Sequence, residues 1–188
     1  MHGNEEIMDE EIKRINRELK YSGSILDVYS DLMQIPNGNR AQWDYVAHRK
    51  GAAAVIPVLE NGNVLMVRQY RNAIDRYTLE IPAGSKDYAG EPSDHCAARE
   101  LEEETGYRAG RLEKLITVAT TVAFCNEVID IYLATDLIKT EQHLDENEYL
   151  NVYEVPLEEL KREILAGTLQ DSKSISAIMA YDIKYGNN

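Results

Sequence analysis

Two cysteines in 188 residues, Cys96 and Cys125, are too few and too scattered for a disulfide framework or a thiolate metal cluster. A reduced, cytoplasmic setting is the expectation. No apolar run approaches the ~18–20 residues that a membrane span needs, and the first residues are acidic rather than basic and then apolar as in an export signal. Neither a membrane partner nor a targeting segment is expected. Positive charge is also scarce: 20 Lys+Arg stand against 33 Asp+Glu, a formal net charge of −13. That balance argues against non-specific binding to nucleic acid or anionic lipid, both of which need a basic surface. If the ligand is a small anion, a divalent cation has to reverse the local field of the carboxylates. With 44% hydrophobic and 28% charged residues, the chain is a globular protein long enough for one domain with a real core and short for two.

Patterning divides the chain. Ile7, Ile12, Ile15 and Leu19 recur at helical spacing among charges, which predicts an amphipathic helix over residues 5–20. From 22 to 83 the signal is β. Ile25–Met33 and Gln42–His48 flank Pro36-Asn37-Gly38-Asn39, and Ala52–Leu59 and Val64–Gln69 flank Glu60-Asn61-Gly62-Asn63, so two hairpins are predicted. Tyr77–Ile81 is a short strand broken by Pro82-Ala83-Gly84. Ser93–Thr105 reads as a helix, with Ser93 as its cap and Gly106 at its left-handed end. Strands are predicted at 112–122, 127–134 and 149–154. A helix then runs from Pro156 to near Gly167, and another from Asp171 or Ser172 to about Tyr185. The order of elements implies an α+β sandwich with a mixed sheet.

Within the predicted helix, Glu100, Glu103 and Glu104 stand at i, i+3 and i+4 and share one side, while Glu102 points elsewhere. Ala97 and Leu101 supply the buried stripe. Like charges at this spacing repel, and the C-terminal end of a helix disfavours negative charge further. A solvated acidic face is one explanation; a hard divalent cation drawing the carboxylates together is the other.

Glu91, seven residues, then Arg99-Glu100-Leu101-Glu102-Glu103-Glu104-Thr105-Gly106-Tyr107 resembles the Nudix box, G-x5-E-x7-R-E-U-x-E-E-x-G-U with U aliphatic or aromatic. The chain departs from it once, with six residues rather than five between Gly84 and Glu91. The resemblance implies a Nudix-type α/β/α sandwich over 48–188. Residues 1–47 form a helix-and-strand extension, the expected dimerisation element of a homodimer. It implies Glu100 and Glu104 as ligands of Mg²⁺ or Mn²⁺, Glu103 assisting, the Ala83 carbonyl as a further ligand, and Glu91 with Arg99 bracing loop against helix.

The flanks narrow the resemblance. Val67-Arg68-Gln69-Tyr70-Arg71, Leu79-Glu80-Ile81-Pro82-Ala83-Gly84 and Glu141–Glu148 are similar to the ADP-ribose (ADP-sugar) pyrophosphatases of the Nudix hydrolases. They imply hydrolysis of a nucleoside diphosphate sugar, ADP-ribose first, with GDP-mannose or another such sugar, or a non-catalytic nucleotide-sugar-binding module, as alternatives. Glu146 is assigned as the base and Glu148 as an additional metal ligand, roles the two could exchange. Arg71 would contact phosphate, Glu80 a ribose hydroxyl or the metal network, and Arg68 could join them. Against these stand exposed strand arginines, an ordinary ion-pair role for Glu80 and an acidic surface loop for Glu146 and Glu148. Trp43 and Tyr45 are candidates for adenine stacking or for packing. Thr120-Thr121-Val122-Ala123-Phe124 replaces the Ser-Pro-Gly-Phe segment usual in the subgroup, Glu127 is a candidate pocket residue, and Cys125 is read as incidental rather than nucleophilic.

Overall fold

The computed structural model describes residues 11–186, and its contacts divide the chain into two compact units: residues up to Arg49 together with Thr121–Asn126, and Lys50–Thr120 with Glu127 onward. The smaller unit is an antiparallel sheet of β1 (Lys13–Ser22), β2 (Leu26–Gln34) and β3 (Arg40–His48) in sequence order. Its β2–β3 hairpin is as predicted, with Gly38 at φ +82° and the Asn37 side chain accepting from the Asn39 N–H. The predicted N-terminal helix is corrected: 13–20 belong to β1, and 5–10 lie outside the described residues. Register shifts pass over Ile15 and Lys20. Two such bulges break the period-2 alternation and leave apolar residues three and four apart, imitating a helix. The tie that fixes the strand is long-range. Arg17 donates Nε and Nη2 to the buried Asp31 at 2.6 Å each and stacks over Tyr45 at 3.8 Å.

The larger unit contains β4 (Ala52–Pro57), β5 (Asn63–Arg71), β6 (Arg76–Glu80), β7 (Ala83–Ser85), α1 (Ser93–Thr105), β8 (Tyr107–Arg108), β9 (Arg111–Ala119), β10 (Val128–Thr135), β11 (Ile138–Lys139), β12 (Leu150–Pro156), α2 (Leu157–Ala166) and α3 (Ser172–Tyr185). One mixed sheet runs β7-β4-β10-β9 with β4 and β10 parallel; an antiparallel sheet runs β12-β5-β6, and β8 and β11 form a small ribbon. Cys96, Ala97 and Leu101 of α1 cover one face of the mixed sheet over Ala53, Val55 and Tyr132. Ala54, Ile56 and Ile131 face the other way, packed with Met66, Leu160 and Ile178. That is the α/β/α sandwich, and it explains why β4 is buried at all six positions: a strand covered on both faces reads as a continuous apolar run.

The second predicted hairpin is corrected too. The turn forms, with Gly62 at φ +81° and Leu59 N–H bonded to the Asn63 carbonyl at 2.9 Å. Only Val58 and Val64 bridge across it, however, and β4 and β5 enter different sheets. Both strands are apolar on both faces, so each is satisfied only inside its own covered sheet. Ser93 is the first helical residue rather than the cap; Pro92 precedes it and no side chain caps the helix, while Gly106 is left-handed at φ +70° as predicted. Among the described residues no helix is long and apolar enough to cross a membrane.

Candidate active site

The box acids sit at the C-terminal end of α1, against β7. Glu104 is 1% exposed, and its Oε2 accepts the Ala83 N–H at 3.1 Å. Burial, with the negative charges of Glu100 and Glu148, pushes its carboxyl up to about 9. Glu100 is 8% exposed and burial raises it to about 7, opposed by Arg99. Glu102 points away and pairs with Arg108, as its helical position requires. A Cβ at Gly84 would overlap the Glu100 carboxylate, so any side chain there has to displace that carboxylate from its present place against β7. The extra residue in the 85–90 loop does not disturb that contact. Gly84 still pairs with Ala53, and a turn from Tyr88 to Glu91 with Gly90 at φ +93° absorbs the insertion.

Arg99 ties the helix to that loop. Its Nη1 donates to Glu100 at 2.8 Å and Glu103 at 2.9 Å, and its Nη2 to the Ser85 carbonyl at 3.1 Å. Its Nε has no hydrogen bond but lies 3.4 Å from Asp87 and 3.7 Å from Glu91. Glu91, itself buried, accepts the Asp87 N–H. The bracing pair is thus part of a junction in which four carboxylates, the Ser85 carbonyl and the Cys96 sulfur surround one guanidinium.

The acidic loop is pinned to the end of α1. Its Thr140 N–H donates to the Gly106 carbonyl, its His143 N–H to the Glu103 carbonyl, and Gln142 Nε2 to the Glu104 carbonyl at 2.6 Å. These bonds satisfy carbonyls that a helix end otherwise leaves without partners. Glu148 is half-buried; burial raises its carboxyl, opposed by a backbone hydrogen bond from Asp145, and the charge of Glu103 adds to the rise. Glu146 is exposed.

Arg71 and Glu80 come together, but with each other. Arg71 donates Nε and Nη2 to Glu80 at 2.7 and 2.6 Å, and Thr78 and Lys173 donate to the same carboxylate. These partners overcome burial and hold Glu80 down at about 2. Arg68 is not brought to them. Strand alternation sends it to the opposite face of β5, over the Tyr77 ring at 4.5 Å and beside Tyr70. Lys173, Thr78 and Gln142 are functional-site neighbours that sequence reasoning missed. Lys173 lies 93 residues from Glu80, and no local pattern joins them.

In the smaller unit Tyr45 lies beneath Arg17, Trp43 is exposed, and the 121–126 segment is strung along β3 by the Val46 N–H to the Phe124 carbonyl at 2.7 Å. Neither cysteine forms a disulfide. Glu127 accepts from the Thr120 hydroxyl.

The donor set suits a hard divalent cation. Glu100 and Glu104 are buried oxygen donors whose charge nothing else fully offsets, seated in a cradle that a Cβ at Gly84 would fill. Among the described residues no three such groups already form a closed ligating set, because Glu100 and Glu103 are turned towards Arg99.

Comparison with known proteins agrees with this geometry. The NUDIX domain model matches residues 48–177. An ADP-ribose pyrophosphatase of Bacillus subtilis (strain 168) is 36% identical over 93% of this chain and 94% of its own. A methanol dehydrogenase activator of Bacillus methanolicus is 38% identical over 89% and 91%. The crystal structure of an ADP compounds hydrolase shares the fold at a TM-score of 0.82 and 22% identity, covering 94% of this chain and 97% of that one. Box, fold and relatives converge: the chain belongs to the Nudix hydrolases, enzymes that work with divalent metal.

Proposed function

We propose that this enzyme hydrolyses the diphosphate of ADP-ribose to AMP and ribose 5-phosphate, with Mg²⁺ or Mn²⁺. The carrying observation is the buried Glu100–Glu104 pair against Gly84, two carboxyl groups held close together that a divalent cation would stabilise in their ionised form by displacing the proton. The residues that would hold the metal are Glu100, Glu104, the Ala83 carbonyl and Glu148. Electrostatic coupling of Glu148 to Glu103 and Glu104 supports its place among them. When bound, the cation neutralises phosphate oxygens and acidifies the attacking water.

The chain's own groups do the rest. Glu146, exposed on the loop that Gln142 pins, accepts the water's proton. Arg71, fixed by Glu80, binds a diphosphate oxygen. Arg99 acts by holding Glu100 and Glu103 in register with the loop, and Glu103 stands on the more exposed side of that pair, placed to assist through water. Arg68, with Tyr70 and Tyr77, offers an exposed guanidinium and aromatic rings to the outer part of a substrate.

Incubation with Mg²⁺ and ADP-ribose, other ADP-sugars, GDP-mannose and dinucleotides, beside a Glu104→Gln variant, tests the reading. AMP release from ADP-ribose that depends on Glu104 is expected; binding without products would reject it in favour of a sensor. We further propose a cytoplasmic homodimer in which residues 1–47 are the dimerisation element, since Ile15, Leu19, Tyr21 and Trp43 of the N-terminal sheet are exposed. Light scattering at micromolar concentration giving a monomer mass would reject the dimer.

A further inference from the structure

Glu80 is 2% exposed and gathers four donors: Arg71 Nε at 2.7 Å and Nη2 at 2.6 Å, the Thr78 hydroxyl at 2.5 Å, and the Lys173 ammonium. Lys173 reaches it from the first turn of α3. Lys173 is itself buried and shares its ammonium with Asp171 at 3.0 Å. Asp171 caps the helix, accepting the Ser174 N–H at 3.0 Å and hydroxyl at 2.5 Å. The Ser174 hydroxyl oxygen accepts the Ile81 N–H at 2.8 Å, which fixes the residue next to Glu80. The start of α3 is therefore bound to the end of β6 through these charged groups as well as through the Ser174–Ile81 bond and the apolar packing of Ile81 with Ala177 and Ile178.

Burying the Glu80 carboxylate and the Lys173 ammonium is a costly way to join a helix to a strand, and apolar side chains do that at less cost. What this arrangement supplies is orientation. Glu80 holds Arg71 by Nε and Nη2 only, and Nη1 makes no hydrogen bond among the described residues. The Arg71 side chain as a whole is 41% exposed, and the charges of Glu104 and Asp171 act on it. With Lys173 present, two cations share Glu80, so Arg71 keeps positive charge for another acceptor. With Lys173 absent, Arg71 becomes the sole counter-ion of a buried carboxylate and is drawn into it.

We infer that Lys173 is a positioning residue for substrate binding: its ammonium holds Glu80 so that Arg71 presents its Nη1 edge to the diphosphate. This rests on the reading of Arg71 as a diphosphate contact. Steady-state kinetics with ADP-ribose, calorimetric titration of ADP-ribose in EDTA, and thermal denaturation are compared across variants. Lys173→Met raises KM and the metal-free Kd roughly ten- to a hundredfold, the loss of one charge-assisted contact. Its kcat per folded molecule stays within about threefold, because the interaction is made in ground and transition states alike. Lys173→Arg recovers most of the affinity. Adding Lys173→Met to Glu80→Gln raises KM no further, because the effect passes through that carboxylate.

A fall in Tm with KM and Kd unchanged would reduce Lys173 to a packing residue and overturn the inference. So would effects of Lys173→Met and Glu80→Gln that multiply. If Lys173→Met does not fold, Thr78→Val removes one donor to Glu80 without changing charge, and an unchanged KM there overturns it equally. Arg71→Ala separates the two levels: a normal KM and Kd in that variant refutes the diphosphate contact itself, whatever Lys173 does.

Discussion

Glu104→Gln should stabilise the metal-free protein while removing its response to magnesium. The folded carboxyl is raised to about 9 from an ordinary 4.5. The folded state therefore holds the proton more tightly than the unfolded chain, and stability falls as pH rises from 4.5 towards 9. At pH 7 the unfolded group is ionised and the folded one is not; 2.5 units at 1.36 kcal/mol each is a penalty of about 3 kcal/mol. Glutamine has the same shape, keeps an oxygen to accept the Ala83 N–H, and carries no proton to lose. Taking half the penalty, because neighbours and water relax around a buried charge, leaves about 1.5 kcal/mol and a Tm higher by roughly 3–6 °C. Near pH 5 only about half a unit separates the solution from the unfolded value, and the advantage shrinks below about 1 kcal/mol. Thermal denaturation in EDTA at pH 5, 7 and 8.5 reads this directly. With millimolar Mg²⁺ the order reverses, because only the wild type gains the linkage free energy of binding. A variant less stable than wild type by the same margin at every pH would refute the reasoning.

Gly84→Ala places a methyl group in the Glu100 carboxylate; magnesium stabilisation should vanish and kcat/KM fall at least about a hundredfold, with stability reduced by roughly 1–3 kcal/mol. Gln142→Leu frees the Glu104 carbonyl and loosens the acidic loop, so kcat should drop about tenfold while denaturation shows a loss near 1 kcal/mol. Asp31→Ala leaves the half-buried Arg17 without its partner and should cost about 1 kcal/mol in urea unfolding, because water takes over part of the lost charge-assisted bonds. Finally, a chain of net charge −13 repels a diphosphate at long range. With magnesium held constant, raising monovalent salt to about 0.15 M, where the screening length is about 8 Å, should increase kcat/KM in stopped-flow or steady-state assays; a decrease would mean that Arg71 and its neighbours govern the encounter.

Local order in this chain is legible where local chemistry decides it. α1 matches its predicted span because an apolar stripe at Ala97 and Leu101 and a left-handed Gly106 act within a few residues of each other. The Asn37-Gly38 turn is equally self-contained. The N-terminal strand is not. Its bulges at Ile15 and Lys20 erase the alternation, and its partner Asp31 lies 14 residues from Arg17. The second hairpin fails for a related reason. Turn chemistry at Asn61-Gly62 fixes how the chain reverses but not which sheet receives each strand. That depends on α1 and α3 covering β4 from both sides.

The site divides along the same line. Glu100, Glu103 and Glu104 are neighbours by helical geometry alone, so their convergence is written in the spacing. The raised carboxyl of Glu104 is not, since it comes from burial and from the charges of Glu100 and of Glu148, 44 positions further on. The same holds for Arg71. Sequence can mark it as a phosphate contact by the resemblance of Val67–Arg71, but not that Glu80 claims two of its donors and that Lys173 supplies a second positive charge to that carboxylate. A chain this acidic can bind an anion only if its few cations are kept from complete neutralisation. The fold meets that condition by shielding Arg71 with another cation, and by burying two carboxylates so deeply that their own field favours a metal.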